Sequence, residues 1–237
     1  MTTQGSWAHP ELLADTAWVA EHLDDPQVRV VDCDMLPSYQ RLHIPNAVWA
    51  GSHYWKGDGA NDSGLYGIDD PEQFAKMIGR LGVDNDTTIV AYDGSGGVYA
   101  ARFWWTLDRF GHTNVQVLDG GLDKWYAEGR PLSRDNVRAQ ARTFTAQPPH
   151  AETCVLIDEV VSRQGDDSHV FWDTRSDGEW LGKNARGTQR GGRIPGAVHL
   201  EWLNNLNQPV RTLKDPDALR ATLTGLGITP EKTVTTY

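Results

Sequence analysis

Short apolar runs closed by an acid or a turn alternate along this chain with segments whose apolar residues recur every three or four positions. Residues 14–23 place Ala17, Val19, Ala20 and Leu23 on one face after Asp15, which predicts a helix leading into a strand over Val28 to Asp32. Asp70-Pro71 followed by Phe74, Met77, Ile78 and Leu81 and closed by Gly82 predicts a second helix, with an N-cap, a proline in the first turn and a glycine stop. The β-branched run Thr88 to Val90 predicts a buried strand. After Asp93-Gly94-Ser95-Gly96-Gly97 the pattern predicts a helix over about 98–110, a strand over Val115 to Leu118 and a last helix over 122–128. Residues 131–150, with Pro148-Pro149 and little apolar periodicity, are expected to be a linker, and a helix is expected near 156–163. Strands alternating with helices imply a parallel sheet covered on both faces.

The pattern occurs twice. In the first copy Val30-Val31-Asp32 is followed by His43-Ile44-Pro45-Asn46-Ala47-Val48, then Ile78-Gly79-Arg80-Leu81-Gly82-Val83, then Thr88-Ile89-Val90-Ala91-Tyr92. The second copy answers in the same order with Val170-Phe171-Trp172-Asp173, Arg193-Ile194-Pro195-Gly196-Ala197-Val198, Leu223-Thr224-Gly225-Leu226-Gly227-Ile228 and Thr233-Val234-Thr235-Thr236-Tyr237. The last two pairs share one offset, 228 − 83 = 237 − 92 = 145. A duplicated α/β domain follows: 1–130, a linker over 131–150, and 151–237. Tyr237 corresponds to Tyr92, so the second copy is expected to be an incomplete frame or one piece of a cut protein, short by about 40 residues relative to Asp93 to Pro131.

Composition sharpens the class. With 237 residues, 39% of them apolar, and ten Trp, the chain has material for a substantial core. No run approaches the roughly 18 apolar residues of a membrane span, and the first residues lack the basic start and apolar centre of a signal peptide, so a cytoplasmic protein with no membrane partner is expected. Two cysteines, Cys33 and Cys154, are too few for a disulfide framework or a zinc cluster. A net charge of −10 argues against nucleic acid as a partner and requires a local basic patch at any anion site.

In open parallel sheets ligands bind beyond the carboxyl ends of strands, which selects the loop after Tyr92 and its counterpart after Tyr237. Successive backbone N–H groups in such a loop, followed by a helix N-terminus, form a nest for an anion or a thiolate. A tight strand-to-helix turn is the plainer reading of Asp93 to Val98. Asp93 at its head is no sulfur nucleophile, and its charge disfavours an anion there.

These residues resemble the tandem-domain rhodaneses, or thiosulfate sulfurtransferases. The resemblance rests on Asp173-Thr174-Arg175 with Glu179-Trp180 and Gly182, on Gly192 to Val198, and, in the first copy, on Leu118-Asp119-Gly120-Gly121-Leu122, Trp125 and Gly129-Arg130-Pro131. It implies two parallel-sheet domains flanked by helices, of which the first has lost its catalytic cysteine, with Asp93 as the inactive-site counterpart. It also implies that the catalytic Cys stands immediately after Tyr237, so that none is expected within the chain and the chain alone is expected to be inactive. Neither Cys33, which aligns with Thr174, nor Cys154 occupies that place.

What the resemblance implies about chemistry is a persulfide transfer. A Cys of depressed pKa takes the outer sulfur of a small anionic donor such as thiosulfate and passes it to a thiophilic acceptor such as cyanide. No metal or organic cofactor is called for. Animal members carry a substrate-binding Arg where this chain has Glu179, so the basic contact is sought in the acid-free stretch bearing Lys183, Arg186, Arg190 and Arg193. Arg175, two residues after Asp173 and four before Glu179, is either a substrate contact or a structural ion-pair partner, and Trp202 either walls the pocket or packs in the core. A family member using 3-mercaptopyruvate, a non-catalytic binding module, and a phosphatase with a slightly longer loop remain the alternatives.

Overall fold

The computed structural model describes residues 7–51 and 70–237, which divide into two compact units. One comprises the described residues of Ala8–Ala151 with Gln208–Thr212; the other comprises Glu152–Asn207 and Leu213–Tyr237.

The first unit is built from β1 (Leu13–Ala14), α1 (Thr16–Glu21), β2 (Val28–Asp32), α2 (Leu36–Arg41), β3 (Val48–Trp49), α3 (Pro71–Arg80), β4 (Thr88–Tyr92), α4 (Val98–Arg109), β5 (Val115–Leu118) and α5 (Gly121–Ala127). All five strands are parallel, in the order β1-β5-β4-β2-β3. Both faces of the sheet are covered. On one, Phe74 and Ile78 of α3, Phe103 and Leu107 of α4, and Phe144 pack on Val31, Ile89 and Ala91. On the other, Val19 of α1, Ile44 and Trp125 of α5 pack on Val30, Val90 and Tyr92. This is why β4 reads as an unbroken apolar run: neither side of it meets water.

Residues 131–150 differ from the expected linker. They carry no helix or strand, but Phe144 is buried in the core, Arg142 donates its N–H to the Gly79 carbonyl, and Ser133 pairs with His43. Such a segment lacks periodicity because it is anchored at single residues, not along a face. The helix expected over 14–23 is shorter than its apolar pattern: Leu13 and Ala14 pair with β5, and the Asp15 carboxylate accepts from the Ala17 N–H at 2.7 Å to start α1.

The second unit contains α6 (Ile157–Ser162), β6 (His169–Asp173), α7 (Asp177–Trp180), β7 (Val198–His199), α8 (Pro216–Gly225) and β8 (Thr233–Thr236). Its strands are parallel, in the order β7-β6-β8. This repeats β3-β2-β4 of the first unit in the same register, with Val28 opposite Thr88 and His169 opposite Thr233. Asp215-Pro216, which opens α8, stands 145 residues after Asp70-Pro71, which opens α3. In both helices the Asp carboxylate accepts a backbone N–H of the first turn. Among the described residues no helix is long and apolar enough to cross a membrane.

Candidate functional site

At the carboxyl end of β4 the chain turns sharply into α4, and the turn closes around its own side chain. The Asp93 carboxylate accepts the N–H groups of Ser95 (2.7 Å) and Gly97 (2.8 Å) on one oxygen and those of Tyr99 (2.8 Å) and Ala100 (2.9 Å) on the other. Gly97, the N-cap, has φ +89 and no side chain to cap with, so Asp93 caps α4 from four residues upstream. Asp93 is only 1% exposed. The nest expected from the sequence is therefore present and filled by an internal carboxylate. Gly121 completes the fit, because a Cβ there would collide with the Asp93 carbonyl.

The strand ends around the loop match between the two units, hydrogen bond by hydrogen bond. Tyr92 Oη accepts the Ile44 N–H at 3.0 Å and donates to Asp32. Tyr237 Oη accepts the Ile194 N–H at 3.0 Å and donates to Asp173. The Tyr92 carbonyl accepts from the Cys33 N–H at 2.8 Å and the Tyr237 carbonyl from the Thr174 N–H at 3.0 Å, which makes Cys33 the counterpart of Thr174. Burial pushes the Cys33 thiol well up, with Asp93 and Asp32 adding to the effect, so it is an inert packed group.

One position breaks the match in charge. Asp34 donates its N–H to Asp32, and Arg175 donates its N–H to Asp173, so the two are equivalent. The Asp34 carboxylate reaches the glycine loop and accepts the Gly94 N–H at 3.0 Å. The Arg175 guanidinium instead grips Asp173 through Nε (3.0 Å) and a terminal nitrogen (2.6 Å), which also donates to the Gly192 carbonyl at 2.9 Å. It lies 5.0 Å from the centre of the Tyr237 ring. The consequence is electrostatic. Burial, with Asp34 and Asp93 nearby, raises Asp32 to about 7 against the hydrogen bonds it accepts. Asp173, though also buried, is held below the ordinary carboxylate range by its bonds to Arg175.

The raised Asp32 has a measurable signature. Its unfolded-state value is near 3.9, so its contribution to stability is fully present below about pH 4 and is lost as pH rises toward 7. Asp32→Asn should flatten that limb of a stability-versus-pH curve measured by urea unfolding; an unchanged limb would assign it to another group.

The sequence-selected basic residues take different places. Arg186, 72% exposed, lies 3.4 Å from Glu179, whose carboxylate also accepts from the Ser176 N–H and hydroxyl. Lys183 and Arg190 are exposed on the same loop. Arg193 stacks on the Trp180 ring at 4.1 Å and donates to the Trp180 carbonyl at 3.2 Å. This reproduces Tyr39 on His43 in the first unit, where ring centroids are 4.0 Å apart. Trp202 is half-buried, and its N–H donates to the Thr174 carbonyl at 3.0 Å, which sets it beside the carboxyl end of β6. Sequence reasoning missed the contact of Asp34 with the glycine loop, the two tyrosine hydroxyls, and the Ser176-x-x-Glu179 box, the last of which has a legible signature. Among the described residues no cluster of three or more His, Cys, Asp or Glu is placed to hold a metal ion.

Comparison with known proteins agrees with this arrangement. Residues 15–128 match the rhodanese-like domain model. The sulfur carrier protein TtuD of Thermus thermophilus is 34% identical over 98% of this chain and 83% of its own length. The thiosulfate sulfurtransferase of Azotobacter vinelandii is 34% identical over 95% of this chain and 82% of its own. The chain belongs to the rhodanese family. Its structure also resembles SseA of Escherichia coli, described as a 3-mercaptopyruvate sulfotransferase with the rhodanese fold, at a TM-score of 0.81 and 27% identity, covering 95% of this chain and 87% of that one. Sulfur transfer is the activity of the rhodanese family, and the self-filled nest of Asp93 shows how one rhodanese loop can keep its backbone shape without a thiolate.

Proposed function

We propose that this rhodanese moves sulfane sulfur from thiosulfate to a thiophilic acceptor such as cyanide through a cysteine persulfide. The nucleophile would head the loop at the position following Tyr237, by correspondence with Asp93. The observation that carries this reading is the reversal of charge between Asp34 and Arg175. In the first unit three carboxylates, Asp32, Asp34 and Asp93, surround the loop, which repels a dianionic donor. In the second, Arg175 balances Asp173, so the strand end is compatible with a thiolate and an anion together. Arg186, held on Glu179, with Lys183 on the same acid-free loop, would steer and hold the donor's sulfonate oxygens. Arg193 and Trp202 would shape the wall, Arg193 through its stack on Trp180.

The chemistry needs no electron acceptor. The thiolate attacks the outer sulfur, the S–S bond of thiosulfate breaks, and sulfite leaves with the bonding pair. Cyanide then attacks the terminal persulfide sulfur, giving thiocyanate and restoring the thiolate. A second reading, 3-mercaptopyruvate as donor, is favoured by the likeness to SseA.

The test is thiocyanate formation by the protein extended through its coding sequence past Tyr237. Turnover with thiosulfate exceeding that with 3-mercaptopyruvate, abolished by Ala at the new cysteine, is the expected result, and residues 1–237 alone should give none. A residue other than Cys after Tyr237, or sulfur transfer by residues 1–237, would overturn the proposal. Preference for 3-mercaptopyruvate would select the second reading.

A further inference from the structure

In the first unit a groove of about 340 Å³ runs between edge strand β3, the end of α3 and the extended segment 136–139. Its lining includes Tyr39, Val48, Trp49, Leu81 and Val137, and its charged lining residues are both arginines, Arg80 and Arg138. None of the lining belongs to the loop 93–97, so the groove is separate from the site already described.

Three features point to a ligand. The floor is a fixed aromatic and aliphatic surface, because the Trp49 indole N–H is held on the Asp34 carbonyl at 2.8 Å and the Tyr39 hydroxyl on the Ala47 carbonyl at 3.0 Å. Both polar handles are thus satisfied within the protein; Tyr39 is buried and supports the floor, and the half-buried Trp49 ring is the aromatic area offered to a guest. Arg80 and Arg138 are exposed and have no ion-pair partner among the described residues. In a chain of net charge −10, two guanidiniums without an ion pair among the described residues, set on one apolar groove, form a local field of the opposite sign to the whole. The volume stands at the lower end of the range for small-molecule sites, roughly 300–1,000 Å³.

We propose that this groove binds a small amphipathic anion, an aromatic or branched apolar body bearing one carboxylate or sulfonate. The body would lie on Leu36, Trp49 and Val137, the apolar lining residues that keep exposed surface, and the anionic group would meet Arg80 and Arg138. Guanidinium suits this task because its planar fork donates two parallel hydrogen bonds to such a group.

The probe is 2-naphthoate, with the neutral 2-naphthamide of the same shape as control, titrated into residues 1–237. The readout is the Trp49 indole N–H resonance, assigned by its loss in Trp49→Phe. Saturable movement of that resonance is expected, with naphthoate binding about five- to tenfold more tightly than the amide, as two partly exposed ion pairs allow. The double variant Arg80→Gln/Arg138→Gln, altered only at exposed positions, should bring naphthoate down to the level of the amide and leave amide binding unchanged. Equal affinities for the two probes, or naphthoate affinity unchanged in the double variant, would sink the proposal. So would a Trp49 resonance that responds only to protein concentration, which would mean that a second copy of the chain fills the groove.

Discussion

Asp93→Ala is expected to destabilise the first unit by about 4 kcal/mol, seen as a fall in its unfolding midpoint of roughly 8–16 °C. The carboxylate is almost fully buried and accepts four backbone N–H groups at 2.7 to 2.9 Å. Hydrogen bonds to a charged acceptor contribute about 1.5–3 kcal/mol each, and truncation leaves the donors of the first turn of α4 unpaired. Against this stands relief of repulsion, since Asp93 helps to raise Asp32 and Cys33. Four bonds outweigh one through-space repulsion, so the sign is secure and the sum is smaller than four isolated bonds would give.

Asp93→Asn separates the two contributions. It removes the charge and keeps the shape, but one of its two acceptor oxygens becomes an NH2 group aimed at N–H donors. If stability is governed by nest filling, Asn should cost about 2 kcal/mol or more at pH 7. If repulsion within the acidic cluster dominates, Asn should be neutral or stabilising. Calorimetry of the two variants decides this, and a stabilised Asn variant would overturn the view that the loop is built around its own carboxylate.

The repeat made much of this arrangement legible before any coordinates. Strand β2 spans Val28–Asp32 as its apolar run indicated, and β4 and α4 lie where the β-branched run and the glycine loop placed them. Strands β2 and β4 are buried or half-buried over their length and α4 buries one face, so their side chains report their environment directly. Strands β1 and β3 have two residues each and exist only through pairing with β5 and β2, which no local pattern encodes. Helices α2 and α7 are one or two turns held by their ends, too short to express a period. At the site, sequence singled out the loop, Asp93 and Arg175, and left the partner of Arg175 open. The repeat pairs Asp34 with Arg175, since Cys33 aligns with Thr174; it did not disclose that the Asp34 carboxylate reaches the Gly94 N–H while the Arg175 guanidinium turns back onto Asp173. Nor did it separate Arg193, stacked on Trp180, from Arg186, held on Glu179; a row of basic residues carries no record of which side chain faces an aromatic ring.

Removing the Arg175 side chain should turn Asp173 into a second Asp32. Asp173 is fully buried, and its charge is matched by the two-pronged guanidinium. Breaking such a pair from one side costs about 3–5 kcal/mol, because the remaining charge is left in the interior. The pH dependence should reverse as well. In the native chain the depressed Asp173 contributes stability that is present above its unfolded value and lost as pH falls through its lower folded one. In Arg175→Met, burial without a cation should raise Asp173 as it raises Asp32, so stability should instead be lost as pH climbs from about 4 toward 7. Hydrogen exchange of β6, followed on a peptide covering His169–Asp173, should therefore show near-native protection at pH 5 and a large loss at pH 8, once the intrinsic exchange rates are divided out. Adding Asp173→Asn to Arg175→Met should restore most of the protection at pH 8, since no charge is then left buried. Equal loss at both pH values would mean that Arg175 acts through its contacts with Gly192 and Tyr237, and the electrostatic distinction between the two units would then have to rest on Asp34 alone.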